Sequence, residues 1–286
     1  MRALVLGGGG MLGRALVRSW RRRGLPVLGL AREQADVADR ERLLYWADSF
    51  RPELIVNCAA YTRVDACESD RERAFLVNGR AVENAVAAAE RAKARLIHVS
   101  TDYVFDGAAR RPYPEEAPTA PISVYGESKL EGEKRALVYP DALVVRSSWL
   151  FGHGGPNFVA TIVGLIGRGE RTLKVVDDQT GCPTYTPYLA EAIRELAVRG
   201  STGVVHYRNR EPVTWHGFAS EIARLWDCGV EVLPVTTEEF PRPARRPAYS
   251  VLAVERFEAT VGRRVEPWGL GLVEYLADLR RGRNRA

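Results

Sequence analysis

The sequence predicts an α/β protein in which a doubly wound parallel sheet is followed by a smaller C-terminal α+β lobe. Three observations predict it. Short continuous apolar runs (ALVL, ELIVN, RLIHVS, ALVVRS) recur through the first half of the chain and fit strands buried on both faces. Helical patterns of about 10–15 residues separate them, which makes neighbouring strands parallel. From residue 150 onward the alternation loosens while Gly and Pro increase, the mark of a second lobe.

In order, the elements expected are a strand over Arg2 to Leu6 and, after a glycine turn, a helix from Met11 to Arg23. The triplet Arg21-Arg22-Arg23 closes that helix, where cations complement its dipole. A strand over Pro26 to Leu30, a helix ending near Phe50 and a strand over Glu53 to Asn57 follow. Ser69 or Asp70 is placed to cap the next helix, and an alanine-rich helix is expected over Asn78 to Ala92. The strand Arg95 to Ser100, a proline-rich arm, a helix carrying Tyr125 and the strand Ala142 to Arg146 complete the first unit. The second half reads as helices near Asn157 to Gly167, Pro187 to Arg199, Thr214 to Asp227 and Leu270 to Arg281. Between them come a strand over Leu173 to Val176 and short pieces at Glu231 to Leu233 and Glu255 to Val261. The expected division is 1–150, with 184–213 returning to it, against a lobe of 151–183 and 214–286.

Composition excludes several classes. With 286 residues the chain can bury a large core, and no apolar run approaches the ~20 residues of a membrane span. Met1 leads straight into a strand, so a soluble cytoplasmic protein is expected. The net charge is +5, but Arg is interleaved with Asp and Glu along helices, the pattern of a solvated face rather than a nucleic-acid stripe. The four cysteines, Cys58, Cys67, Cys182 and Cys228, have neither zinc nor redox spacing and read as packed free thiols. The four histidines are scattered, so no protein-built metal site is expected.

Two stretches carry chemistry. Gly7, Gly10 and Gly13 follow the first strand and open the first helix, the context of a dinucleotide-binding, Rossmann-type turn. Such a turn needs tight backbone geometry and close approach of N–H groups to a pyrophosphate. At the end of the second strand Arg32 stands where an acid would repel a 2′-phosphate, which favours NADPH, with NADH as the other possibility. Asn57-Cys58-Ala59-Ala60 ends the third strand in small side chains, leaving room for a flat cofactor. The second stretch runs from His98 to Glu133. Ser100, Thr101 and Asp102 end a strand, and Tyr125 and Lys129 lie one turn apart on one helix face. Chance alone gives about 0.15 such Tyr-Lys pairs in a chain like this, but lysine occurs at only four positions. An ammonium beside Tyr125 is expected to lower its pKa from ~10 and make it a usable acid. Thr101 or Ser100 would hydrogen-bond a substrate carbonyl.

These residues resemble the extended short-chain dehydrogenase family, and within it the dTDP-4-dehydrorhamnose reductases. The likeness covers nearly the whole chain: GGGGMLG, VNCAAYTRVDACE, HVSTDYVFDG, the run from Tyr113 to Glu133, RSSWLFG, VVDDQTGCPTYTPYLA, and PARRPAYSVL from Pro243 to Leu252. It implies an NADP(H)-binding domain, a small lobe closing over a nucleotide sugar, and reduction of a 4-keto group. Carried over by motif position, Tyr125 is the proton donor, Thr101 steadies the alkoxide, and Lys129 holds the ribose. Gly7, Gly10, Met11, Leu12, Gly13, Arg32, Asp36, Val37, Ala59, Ala60, Tyr61 and Asn78 are the further cofactor residues, and Thr101, Asp102, Trp149, Arg246 and Ser250 meet the substrate. Trp149 would offer a broad face to a sugar or base, and Arg245 and Arg246 would reach a diphosphate.

Two departures qualify the likeness. Carboxylates that hold a dimer-bridging metal in some members are replaced by Ala15 and Pro187, so no such metal is expected. Tyr249 stands where the family usually has Asn, which leaves open another 4-ketosugar reductase or an epimerase. A non-catalytic NADP-binding subunit resembling the β subunit of methionine adenosyltransferase is the other alternative, though it lacks the Trp149 step. A monomer or homodimer is expected.

Overall fold

β1 (Ala3–Leu6) is wholly buried, with Ala3 and Val5 on one face of the sheet and Leu4 and Leu6 on the other. Successive strand residues point to opposite faces, so such a strand needs helices on both sides. The structure, a computed structural model, describes residues 1–226 and 229–283. Cys228 and the expected helix end at Asp227 lie outside those residues.

α1 (Met11–Arg22) buries Leu12, Leu16 and Trp20 at helical spacing, and Trp20 Nε1–H donates to the Ala190 carbonyl at 2.9 Å. Arg21 and Arg22 form its last turn, and Arg21 also donates to the Val27 carbonyl. β2 (Val27–Leu30), α2 (Arg40–Phe50) and β3 (Leu54–Asn57) follow as the sequence predicts. After β3 the chain departs from expectation. A short helix, α3 (Val64–Ser69), interrupts what reads as loop. Asp70, rather than Ser69, caps α4 (Arg71–Ala74), which runs through a π-helical turn at Phe75–Arg80 into α5 (Val82–Ala92). The expected helix start at Asn78 is therefore an internal turn.

β4 (Arg95–Thr101), α6 (Val124–Ala136) and β5 (Ala142–Ser147) complete the first half, with Ser123 Oγ capping α6 by accepting from Gly126 N–H. Beyond them come β6 (Leu150–Phe151), α7 (Phe158–Gly167), β7 (Thr172–Val176), β8 (Thr180–Gly181), β9 (Thr184–Tyr185) and α8 (Thr186–Val198). β10 (Gly203–His206), β11 (Val213–Thr214), α9 (Trp215–Trp226), β12 (Glu231–Val235), α10 (Glu255–Val261) and α11 (Trp268–Arg283) close the order. β6, β8, β9, β10 and β11 were not anticipated. At two to four residues they are too short to show a period of two.

β10 joins the main sheet, which runs β10-β5-β4-β3-β1-β2 with every pairing parallel. One face is covered by α1, α8 and α10, through Leu16, Trp20, Leu189, Ile193 and Phe257. The other is covered by α2 and α5, through Leu43, Ala47, Val82 and Ala85. A separate apolar cluster joins α7, α9 and α11 around Phe151, Phe218 and Tyr275. The chain order reverses where β1 lies between β2 and β3, and the crevice beyond their C-terminal ends is where such sheets bind ligands.

Candidate active site

The glycine turn sits at that crevice. Gly7 has φ of 75°, and a Cβ there would lie 2.7 Å from the Ala59 nitrogen. A Cβ on Gly13 would lie 2.2 Å from the Gly7 carbonyl oxygen, so α1 packs against the turn as only glycine allows. Gly10 is the N-cap of α1, no side chain caps it, and its first turn (Met11, Leu12, Gly13) holds no acid. The positive helix end is left open to an anion. This cradle fits the pyrophosphate of a dinucleotide.

Arg32 is exposed and paired with Asp36 at 2.9 Å. The Ala38 backbone N–H, together with Arg32, holds the Asp36 carboxyl below its ordinary value. Val37 has its side chain in the core and its carbonyl accepts from Asn84, so the side chain is not at the crevice. At the end of β3, Ala59 N–H donates to Asn57 Oδ1 at 3.1 Å, with Ala60 and Tyr61 following. Asn78 corrects an expectation. It is fully buried, its Oδ1 accepts from Tyr61 N–H, and its Nδ2 donates to the Tyr61 carbonyl and Ser128 Oγ. With the amide committed this way, Asn78 positions the Tyr61 loop rather than presenting a free group to a cofactor.

Thr101 ends β4, and its hydroxyl donates to Asp102 Oδ1 at 3.0 Å while accepting from Tyr103 N–H. The Tyr125 hydroxyl faces Thr101, and its ring packs edge-on against Tyr103. Thr101 and Asp102 are buried and Tyr125 is half-buried beside them, with Ser250 near the Asp102 carboxyl. Burial pushes Asp102 up to about 7, against the opposing pull of nearby Ser250 and of the Thr101 hydroxyl that donates to it.

Lys129 does not do what its spacing predicts. Its ammonium donates to the Val99 carbonyl at 2.7 Å and lies 3.5 Å from His98 Nε2. Turned that way, it does not lower the phenol: burial, then Asp102, push Tyr125 well above its ordinary value. Burial brings Lys129 itself down to about 8.

On the substrate side, the Trp149 indole is stacked on Trp215, centroids 3.4 Å apart and planes within 6°. One face of the expected platform is therefore covered, and Gly181 packs so closely on the ring that a Cβ there would clash. Arg246 is held by Asp65 in a two-pronged pair at 2.9 and 3.0 Å and donates to the Ala244 carbonyl, which orients the guanidinium and takes up three of its five N–H donors. Arg245 is exposed. Asp65, Phe158, Trp215, Arg242, Arg245 and Arg246 line a cavity of about 970 Å³. Sequence reasoning missed Asp65, Trp215 and His98. Asp65 lies inside a stretch quoted for its likeness, but no local pattern reveals a partner so distant in the chain. Among the described residues no group of His, Cys, Asp or Glu gathers as metal ligands, and no helix is long and apolar enough to cross a membrane.

A family model described as the RmlD substrate binding domain matches residues 1–281. The chain is 41% identical over 281 residues to a dTDP-4-dehydrorhamnose reductase of Streptomyces griseus, covering 96% of this chain and 92% of that protein. It is 38% identical over 278 residues to the spore coat polysaccharide biosynthesis protein SpsK of Bacillus subtilis (strain 168), covering 97% of each. Among solved structures it is similar to the dTDP-4-dehydrorhamnose reductase of Bacillus anthracis in complex with NADP. There the TM-score is 0.93 and the identity 33%, over 97% of this chain and 99% of that one.

Proposed function

We propose, because this chain belongs to the RmlD substrate binding domain family, that it is an NADPH-dependent oxidoreductase reducing the 4-keto group of a nucleotide-linked 6-deoxysugar. The substrate we assign is dTDP-4-dehydro-L-rhamnose, and the product is dTDP-L-rhamnose, the last step of dTDP-rhamnose synthesis. One observation carries the reading: the hydroxyls of Thr101, buried at the end of β4, and of half-buried Tyr125 on α6 face each other.

Bound NADPH supplies a hydride to the carbonyl carbon. The chain's own residues then deal with the charge on oxygen. Tyr125, held protonated through the neutral range, gives its proton to that oxygen. Thr101 donates a hydrogen bond to it. At present the Thr101 proton points at Asp102. A protonated Asp102 can donate to Thr101 instead, which frees the threonine proton for the substrate. The glycine turn and the open end of α1 hold the pyrophosphate, and exposed Arg32 is the candidate for the 2′-phosphate. Arg246 and Arg245 at the large cavity take the sugar's diphosphate. Both solutes are cytoplasmic, and the enzyme acts there as a monomer or homodimer.

Loss of nicotinamide absorbance on mixing protein, NADPH and dTDP-4-dehydro-L-rhamnose tests this. No oxidation of NADPH would remove the reductase reading. Tyr249 in the PARRPAYS segment supports a second arm with dTDP-4-keto-6-deoxy-D-glucose, and faster turnover there would reassign the sugar. Interconversion of epimers without net NADPH loss would make the protein an epimerase.

A further inference from the structure

Gly132 brings α6 and β4 unusually close. A Cβ there would lie 2.1 Å from the Asn78 carbonyl oxygen and 3.2 Å from His98 Nε2. His98 is wholly buried, its Nδ1 3.2 Å from Asn57 Nδ2 and its Nε2 3.5 Å from Lys129 Nζ.

This chain of contacts fixes where each proton lies. The Ala59 backbone N–H can only donate, so the Asn57 oxygen faces it and the Asn57 amino group faces His98. His98 Nδ1 therefore accepts. Burial, then the nearby Lys129, hold the ring well below its ordinary pKa, so it is neutral and its single proton sits on Nε2. That Nε2–H points at Lys129. An ammonium has no lone pair to receive it, whereas an amine has one, and either form can still donate to the Val99 carbonyl.

We propose that His98, aligned by Asn57, is a positioning residue for Lys129: it holds the amine at the Val99 carbonyl and favours its uncharged form. The other ionisable groups facing Lys129 are Cys58 at the end of β3 and Glu133 on α6, the latter bound to Arg146 of β5. Asp102 and Cys67, on the neighbouring segments, face Tyr125 instead. The consequence rests on the reading of Lys129 as a cofactor residue: the charged form binds the NADPH anion better, so affinity falls as pH rises through the Lys129 titration.

The chain has only four lysines, so NMR of protein carrying 13Cε-labelled lysine can follow each one, with Lys129→Met identifying the resonance. Expected is one lysine, Lys129, titrating at least about one unit below the other three. His98→Gln presents an oxygen that accepts from an ammonium, and it should raise that titration by about one unit. Lys129 titrating together with the other lysines, measured on the unaltered protein, would overturn the proposal. So would a Lys129 titration unmoved by His98→Gln. NADPH affinity, followed by nicotinamide fluorescence, should weaken several-fold across the same pH range and do so at higher pH in His98→Gln. If Lys129 titrates as expected but NADPH binds at no pH, the cofactor reading fails and the role of His98 stands. If affinity is flat across the titration, the coupling to the cofactor is wrong.

Discussion

Asp65 on α3 and Arg246 in the segment after β12 are joined by two parallel hydrogen bonds of 2.9 and 3.0 Å across 181 residues of chain. The fork geometry is the strong, directional kind of carboxylate–guanidinium contact. Because both side chains are partly exposed, at 34% and 19%, its direct worth to stability is small. Its effect is to fix the loop that carries Arg242 and Arg245 at the large cavity. Arg246→Ala is expected to raise KM for the nucleotide sugar about tenfold or more while kcat changes little. Asp65→Asn should raise it about threefold by loosening the same loop. Steady-state kinetics at saturating NADPH checks both. An unchanged KM in Arg246→Ala would take this arginine out of the substrate site.

Tyr125→Phe keeps the ring and removes the acid. Turnover should fall by about 10²–10⁴, with NADPH affinity within twofold of the original. Thr101→Val, which removes only the second hydroxyl, should cost about 10²-fold in kcat. Rapid-mixing measurements of the hydride step distinguish these losses from slow product release. Full activity in Tyr125→Phe would refute the assigned donor.

Asp102 makes both activity and stability depend on pH. Its folded pKa, about 7, lies above the ordinary carboxyl value, so the folded state holds a proton that the unfolded state releases. The stability this group contributes is therefore fully present below about pH 4, is lost as pH rises toward 7, and does not change above that. The fall attributable to this one group is of order 2–4 kcal/mol. Asp102→Asn should abolish most of it, so urea unfolding at pH 5 and pH 8 should show a smaller difference for the variant than for the parent. The rate should behave in parallel, with kcat/KM declining above pH 7 as the ionised carboxylate keeps the Thr101 proton. A flat profile from pH 6 to 9 would separate Asp102 from the reaction.

Gly13→Ala tests the cofactor cradle. The new methyl would be 2.2 Å from a backbone oxygen, and neither can swing away. The helix must shift from the turn, and NADPH affinity should drop at least tenfold, with Tm lowered by several degrees. At Gly10 the same methyl meets the Gly7 oxygen at 3.3 Å, so Gly10→Ala should be milder. Calorimetric titration and thermal melts rank the two.

Much of this was legible in the residues. The fully buried strands announce themselves as apolar runs, and Tyr125 and Lys129 are one turn apart on α6 as their spacing requires. What failed were features set by distance in space. The direction of the Lys129 ammonium depends on a carbonyl of β4 and on a glycine three residues further along α6. Asn78 changes role because a π-helical turn carries its amide inward, and no local propensity marks such a turn. The free face expected of Trp149 is lost to Trp215, which arrives from α9. Pairings across long stretches of chain leave no local pattern to read.

The placing of β10 at the rim of the sheet carries a consequence for how the protein comes into being. β5 is buried along its whole length, and its outer neighbour is a strand that emerges from the ribosome some sixty residues later. Until then the nascent chain carries an apolar strand with an open row of amides and carbonyls, a template for pairing with other chains. A fragment ending near residue 150 should therefore be collected in inclusion bodies, whereas one extended past His206 has the strand that shields β5.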